Sequence, residues 1–187
     1  MIKIVVCGAK GRMGQILISL LQKRKEFLLI GAIEREDHPD LGKEVIEGIE
    51  LSSDLIEINE ADMVIDFTTP QSTLSHISIC QKKKIPIVIG TTGFKKEEMK
   101  IIKEISKEIP IFLSPNMSLG ANLLFRLTEE TTKRLGSEFQ AEIVEMHHKR
   151  KKDAPSGTAL RLGEIIAQAR GMSLQDVATW GRKGMTG

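Results

Sequence analysis

Two adjacent histidines, four consecutive cations and a small-residue turn lie in one segment, EMHHKRKKDAPSGTA, at residues 145–159. Histidine titrates near neutral pH, and the pKa of a lysine among other cations can be lowered towards that range, so both can donate protons. The turn leads into a predicted helix whose first amides can bind an anion. This combination suits a small dicarboxylate and a proton-transfer step. The alternative is a solvated run of charge.

The two histidines fall in a predicted strand at residues 138–148. Successive side chains of a strand point to opposite faces, so only one of His147 and His148 can face a given pocket. A zinc site is the rival interpretation, but it needs a third ligand, and Cys7 and Cys80 lie far back in the sequence. We therefore predict no metal.

Short apolar runs alternate with amphipathic stretches over the first two thirds of the chain. This pattern predicts a Rossmann-like α/β domain with a doubly wound parallel sheet covered by helices on both faces. The predicted strands are Ile2–Cys7, Phe27–Ile33, residues 63–67, residues 85–89 and Ile111–Leu113. The predicted helices between them are residues 14–25, 72–83 and 95–108.

The pattern changes after Pro115. A long helix is predicted at Leu119–Leu135, then the strand at residues 138–148, then a helix at residues 156–170. Ser156 is a plausible N-cap of that last helix. We place a domain boundary near Ser118, which divides the chain into residues 1–118 and an incomplete α+β domain at residues 119–187.

A glycine turn, GAKGRMG, follows the first predicted strand and opens the first helix. Gly8, Gly11 and Gly14 let the backbone approach a pyrophosphate at a helix N-terminus, although a plain tight turn is the alternative. About 20 residues further on, Glu34 is placed to accept hydrogen bonds from a ribose. The adjacent Arg35 can pair with a 2′-phosphate. NADH and NADPH are therefore both compatible with the pattern.

Two later strand ends carry polar turns, Asp66-Phe67-Thr68-Thr69 and Gly90-Thr91-Thr92-Gly93. Parallel sheets bind ligands at the carboxyl ends of their strands. Backbone amides and hydroxyls at these ends can bind a nicotinamide ring and its ribose. Each turn taken alone is also compatible with ordinary surface structure.

Composition excludes several classes of protein. Lys and Arg number 27 against 25 Asp and Glu, a formal charge of +2, which gives no reason to propose nucleic acid as a partner. Cys7 and Cys80 lie in or beside apolar runs and are predicted to be buried thiols in a reducing compartment. No stretch has the length of a membrane span or the pattern of a signal peptide. A cytoplasmic location is the expectation.

Five motifs together resemble the 4-hydroxy-tetrahydrodipicolinate reductase (dihydrodipicolinate reductase) family of bacterial lysine and diaminopimelate biosynthesis. They are GAKGRMG, DFTTP, GTTGF, SPNMSLG and E-x-H-H-x-x-K-x-D-A-P-S-G-T-A, and they occur in the family's order and spacing. The last motif is long and specific. The resemblance implies NADPH- or NADH-dependent reduction of an unsaturated cyclic dicarboxylate.

The resemblance also implies residue roles. His147 would be the proton donor or acceptor, and Lys151 would be the proton donor paired with hydride delivery. His148, Gly157 and Thr158 would bind the substrate carboxylates. The cofactor-binding residues would be Gly8, Ala9, Lys10, Gly11, Arg12, Met13, Glu34, Arg35, Gly90, Thr91, Thr92, Ser114, Pro115, Asn116 and Met117. Residues 119–187 would be part of a substrate-binding and tetramerisation domain, with a homotetramer expected at full length.

Chains of this family continue beyond the point where this one stops, so the resemblance implies a C-terminally shortened member. Two alternatives stay open. One is a nucleotide-binding module with little or no turnover. The other is a different nicotinamide-dependent enzyme, such as a relative of aspartate or homoserine dehydrogenase, although the H-H-x-x-K segment argues against it.

Overall fold

A computed structural model describes residues 1–56, 58–149 and 151–185, with Asp153 described by its backbone only. The chain divides into two compact units, Met1–Pro115 and Asn116–Gly187. The predicted boundary near Ser118 falls just beyond the end of the first unit. Each unit is described separately below.

The first unit is built on a seven-stranded sheet with the order β3-β4-β2-β1-β5-β6-β7. All neighbouring strands are parallel except β3 and β4, which form an antiparallel edge hairpin. The strands are β1 (Ile2–Cys7), β2 (Phe27–Ile33), β3 (Glu44–Ile46), β4 (Ile49–Ser52), β5 (Met63–Asp66), β6 (Ile87–Ile89) and β7 (Ile111–Leu113).

Three helices cover this sheet: α1 (Arg12–Leu21), α2 (Pro70–Lys83) and α3 (Lys96–Ile105). The side chains of β1 alternate between two buried clusters. Ile4 and Val6 pack in the cluster that contains Ile18 of α1, whereas Val5 and Cys7 pack in the cluster that contains residues of α2 and α3. The helices therefore cover opposite faces, and the predicted doubly wound sheet is confirmed.

The strand order reverses at β1. The chain moves from β1 to β2 on one side, and β5 later pairs with β1 on the other side. Such a switch point leaves a crevice at the carboxyl ends of the two central strands, which is where open α/β sheets bind ligands. The glycine turn follows β1 at this edge of the sheet.

The second unit is mainly helical. It contains α4 (Leu119–Leu135), α5 (Gly157–Ala169), the short α6 (Leu174–Val177) and a two-stranded ribbon of β8 (Asp153–Ala154) and β9 (Gly184–Met185). Helix α5 packs against α4 and α6. Ser118 and Ser156 cap α4 and α5 through their hydroxyls. None of the helices in the described part of the chain is long and apolar enough to cross a membrane.

The strand predicted at residues 138–148 is wrong, because the structure assigns no strand there. Its alternating pattern favours extended backbone, but a strand also needs a neighbouring backbone with which to pair. Among the described residues, this segment has no ladder partner. The argument that placed His147 and His148 on opposite faces of a sheet therefore loses its basis.

Cys7 and Cys80 are free thiols buried in one apolar cluster, as predicted. Burial raises the pKa of Cys7 well above its usual value and raises the pKa of Cys80 to about 12. Both side chains therefore stay protonated and act as small apolar groups of the core.

Candidate active site

The glycine turn between β1 and α1 is packed too tightly for side chains at two of its positions. A Cβ on Gly8, whose φ is +80°, would lie 2.6 Å from the Phe67 carbonyl oxygen. A Cβ on Gly14 would lie 2.1 Å from the Gly8 carbonyl oxygen. The turn is further fixed because the amides of Gly8 and Ala9 both donate to the carbonyl of Ile33.

The start of α1 is suited to an anion. Its N-cap is Gly11, which provides no side-chain cap, and its first turn contains no acidic residue. The first amides of a helix have no acceptor within the helix and carry positive potential. The exposed Arg12 and Met13 begin this helix. These features fit the diphosphate of a dinucleotide cofactor.

Glu34 joins the end of β2 to the glycine turn. Its carboxylate accepts from the amide of Lys10 at 3.1 Å and from the amide of Arg35 at 3.3 Å. The Arg35 guanidinium is exposed, and its Nε lies 3.2 Å from an Asp37 carboxylate oxygen. The structure thus brings Glu34 into the turn predicted to bind the dinucleotide, while Arg35 lies beside it in a surface ion pair.

The turns after β5 and β6 are joined through Asp66, which is 0% exposed. One oxygen, Oδ1, accepts from the Thr68 amide at 3.0 Å and lies 3.3 Å from the Thr91 hydroxyl. The Gly90 amide donates to the Asp66 carbonyl at 2.9 Å. The side chain of Thr91 therefore points into the protein, whereas Thr92 is exposed.

The ring of Phe67 lies against Gly90. A Cβ on Gly90 would lie 2.0 Å from a carbon of that ring. A side chain at position 90 would therefore have to displace the ring of Phe67. Gly90 is the first residue of the GTTG motif, and the structure shows that its close neighbour is the aromatic ring of Phe67.

Asp66 also pairs with His76 of α2, whose Nδ1 lies 2.6 Å from Asp66 Oδ2. Within the described ranges, ligand-type atoms of Cys7, Asp66 and His76 lie within 4.8 Å of one another. A metal would compete with the hydrogen bonds of Asp66 and would need the Cys7 thiolate, which burial disfavours. We interpret the group as the hydrogen-bonded pair of Asp66 and His76 beside the buried Cys7 thiol.

The SPNMSLG segment spans the end of one unit and the start of the other. In the first unit, the amide of Ser114 donates to the carbonyl of Ile89 at 3.1 Å, and Pro115 is exposed. In the second unit, the Asn116 side chain accepts from the amide of Ser118 at 2.9 Å, and Met117 is exposed. These contacts fix the segment locally.

In the second unit, a glutamate absent from the predicted site connects His147 to α5. One carboxylate oxygen of Glu145 lies 2.8 Å from His147 Nε2, and the other accepts from the Ser156 amide at 2.8 Å. The hydrogen bonds from Ser156, followed by the contact with His147, lower the pKa of Glu145 to about 2. The E-x-H spacing is the sequence signal that could have found the contact with His147, because the two residues are only two positions apart.

The other predicted substrate residues lie in the same segment. The amide of Lys151 donates to the carbonyl of His148 at 3.1 Å. Gly157 and Thr158 are the first residues of α5 and are exposed. Apart from atoms of its chain neighbours and of the backbone of its own helix, no described heavy atom lies within 4 Å of a Cβ placed on Gly157, so this helix N-terminus is open on that side.

An open apolar groove of about 520 Å³ lies elsewhere on the first unit. It is lined by the first residues of β5, β6 and β7, at the edge of the sheet opposite the glycine turn. The lining residues are Met63, Pro86, Ile87, Val88, Ser106, Pro110, Ile111 and Phe112. The groove is therefore not part of the candidate site.

A doubly wound sheet with a glycine turn at its switch point is the architecture of a dinucleotide-binding α/β protein. Two sequence profiles match the chain: "Dihydrodipicolinate reductase, N-terminus" over residues 2–117 and "Dihydrodipicolinate reductase, C-terminus" over residues 120–185. The chain therefore belongs to the dihydrodipicolinate reductase family, whose members are NAD(P)H-dependent oxidoreductases of lysine and diaminopimelate biosynthesis.

Curated relatives agree with this assignment. Proteins of Trichlorobacter lovleyi and Geobacter sulfurreducens, both named 4-hydroxy-tetrahydrodipicolinate reductase, are each 45% identical over 195 residues. The alignments cover 100% of this chain and 73% of each relative. The match to both halves favours a reductase over a nucleotide-binding module alone.

Solved structures agree as well. A dipicolinate-bound dihydrodipicolinate reductase from Paenisporosarcina sp. TG-14 superposes with a TM-score of 0.78 at 28% identity, covering 91% of this chain and 67% of that one. A homoserine dehydrogenase from S. aureus superposes with a TM-score of 0.51 at 11% identity, covering 60% of this chain and 32% of that one. The second likeness shows a shared fold only.

Proposed function

We propose that the chain catalyses the NAD(P)H-dependent reduction of 4-hydroxy-tetrahydrodipicolinate to tetrahydrodipicolinate, with loss of water. The observation that carries the proposal is the pairing of His147 with Glu145, which also binds the amide at the start of α5. This arrangement joins a proton donor to a helix N-terminus suited to a carboxylate.

The cofactor-binding residues belong to three groups in this proposal. Gly8, Ala9, Lys10, Gly11, Arg12 and Met13 surround the diphosphate. Glu34 binds the adenosine ribose, and Arg35 exchanges Asp37 for a 2′-phosphate when NADPH binds. Gly90, Thr91, Thr92, Ser114, Pro115, Asn116 and Met117 line the nicotinamide end. Both NADH and NADPH are accepted.

The substrate is bound through its two carboxylates. His148 and the first amides of α5, at Gly157 and Thr158, bind these groups. The N-cap hydroxyl of Ser156 already accepts from the Ala159 amide, so the two amides before Ala159 are the ones offered to the substrate. The basic residues around Lys151 offset the negative charge of the dianion.

The reduced nicotinamide, when bound, supplies the hydride. Addition of hydride to the unsaturated ring leaves an electron-rich atom that must take up a proton. Lys151 donates this proton. His147 acts as the proton donor or acceptor in the preceding loss of water, in which the hydroxyl group and a proton of the adjacent ring carbon leave as one water molecule and a ring double bond forms. Glu145 stabilises the protonated imidazole through the 2.8 Å contact and fixes the orientation of the ring.

The proposed setting is the cytoplasm, and the proposed assembly is a homotetramer of chains with the full length of the relatives. Both follow from the family and from the features of the sequence. Gel filtration with light scattering tests the assembly on this chain and on one extended to that length.

The decisive experiment is an assay of NADPH oxidation with freshly prepared 4-hydroxy-tetrahydrodipicolinate, on this chain and on the extended one. We expect absorbance loss at 340 nm that depends on both reactants. Nucleotide binding without oxidation in either protein would overturn the proposed reaction and favour a binding module.

A further inference from the structure

The buried Asp66 carboxylate, which has no role in the proposed function, lies at the centre of a hydrogen-bonded cluster that includes Thr91 of the proposed nicotinamide site. Oδ1 accepts from the hydroxyls of Thr68 at 2.6 Å and Thr73 at 3.1 Å, in addition to the amide of Thr68. Thr73 and Thr91 also bond to each other at 2.8 Å. This cluster joins the end of β5, helix α2 and the loop after β6.

Burial makes this arrangement costly unless the charge is fully compensated. Asp66 and Thr73 are 0% exposed and Thr91 is 4% exposed. A carboxylate without water requires donors at both oxygens. Oδ1 accepts hydrogen bonds from the threonines. Oδ2 pairs with the ring of His76, whose side chain is only 14% exposed. His76 and Thr73 lie one turn apart on α2 and so face the same carboxylate.

The cluster lies beside the glycine turn. A Cβ on Gly8 would lie 3.2 Å from the Thr68 methyl group, and the Phe67 amide donates to the Cys7 carbonyl at 3.2 Å. The Thr68 amide is fixed from two sides, by Asp66 Oδ1 and by the Thr91 hydroxyl at 3.1 Å. A single carboxylate thus sets the spacing between residues 67–69 and residues 90–92.

We propose that Asp66, oriented by His76, is the positioning residue that fixes these two loops for the nicotinamide half of the cofactor. The inference rests on the proposed placement of the nicotinamide at these strand ends. The adenosine half meets Glu34 and the glycine turn, which have their own hydrogen bonds. Disruption of the cluster should therefore weaken binding of the nicotinamide half of the cofactor and leave binding of the adenosine half unchanged.

The test compares two ligands by isothermal titration calorimetry: NADPH, and ADP-ribose 2′-phosphate, which lacks the nicotinamide. Asp66→Asn and Thr91→Val should raise the Kd of NADPH about tenfold, as expected for loss of a buried hydrogen bond. The Kd of ADP-ribose 2′-phosphate should change less than about twofold. Thr91→Ser, which keeps the hydroxyl, should bind both ligands like the wild type.

Several outcomes would overturn the inference. Equal weakening of both ligands would mean that the cluster supports the fold as a whole, and unchanged NADPH binding in folded Thr91→Val would mean that it positions nothing. If Asp66→Asn does not fold, the Thr91→Val and Thr91→Ser pair gives the same comparison. Failure of the wild type to bind NADPH would instead refute the proposed function, and none of these measurements needs the substrate.

Discussion

Glu145 and His147 form a hydrogen-bonded pair, with 2.8 Å between the carboxylate oxygen and Nε2 of the ring. The second carboxylate oxygen binds the Ser156 amide, so the position of the ring depends on the start of α5. A carboxylate that orients an imidazole also stabilises its protonated form.

Replacing Glu145 by Gln tests this pair. Glutamine keeps the shape and can still accept from Ser156, but it lacks the charge that stabilises a protonated ring. We expect kcat to fall about tenfold or more, because part of the acid–base contribution is lost. The KM for NADPH should be unchanged. Steady-state NADPH oxidation measures both.

Glu138→Gln is the matched control, since Glu138 is exposed in the same unit. It should behave like the wild type. If Glu145→Gln had the same kcat as the control, the Glu145 carboxylate would not contribute to the chemical step.

The same carboxylate predicts a pH dependence of stability. Its pKa is about 2 in the folded chain against a usual value of 4.5. A lowered folded pKa stabilises the protein fully above pH 4.5 and loses this effect as the pH falls towards 2. The free energy of unfolding of the wild type should therefore approach that of Glu145→Gln across this range.

Urea unfolding at pH 7, 5, 4 and 3 measures the difference between the two proteins. This difference in free energy of unfolding should be the same at pH 7 and pH 5 and smaller at pH 4 and pH 3. A gap that stays the same at every pH would show that Glu145 has the same pKa in both states.

The first domain could be predicted from the sequence because its signals are local. Buried parallel strands appear as continuous apolar runs, and the glycine turn at Gly8 follows the first of them directly. The β3–β4 hairpin was missed because its strands are short and contain Glu44 and Glu50. Intrinsic preference gives little information in strands of that length.

The second unit was harder to predict for a physical reason. The signals for helices α4 and α5, apolar residues at helical spacing and a serine N-cap, lie within each segment. Both helices were therefore predicted closely. The segment at residues 138–148 depends on a pairing partner that its own pattern cannot specify. For the same reason, the contact of Glu145 with Ser156 required the structure, because Ser156 lies eleven residues further on.

Lys151 provides the sharpest test of the proposed proton donor. Lys151→Ala should slow turnover by at least ~100-fold, as expected for loss of an acid catalyst. Lys151→Arg keeps the charge but cannot release a proton near neutral pH, so it should be about as slow. Single-turnover NADPH oxidation measures the step directly.

Lys133→Ala is the control for Lys151, because Lys133 is an exposed lysine of α4 paired with Glu129. It should retain the wild-type rate. Full activity in Lys151→Arg would assign Lys151 an electrostatic role, and full activity in Lys151→Ala would remove it from the mechanism.

Arg35 should determine how well the chain accepts the 2′-phosphate of NADPH. Its guanidinium is exposed and pairs with Asp37 at 3.2 Å, so it can change partner at little cost. Arg35→Ala should raise the Kd of NADPH about tenfold and leave the Kd of NADH within about twofold, because only NADPH carries the added charge. Fluorescence titration of each reduced nucleotide gives both constants.

Arg24→Ala, which removes an exposed arginine paired with Glu26, should leave both dissociation constants unchanged. Equal losses for NADPH and NADH in Arg35→Ala would show that Arg35 does not contact the 2′-phosphate.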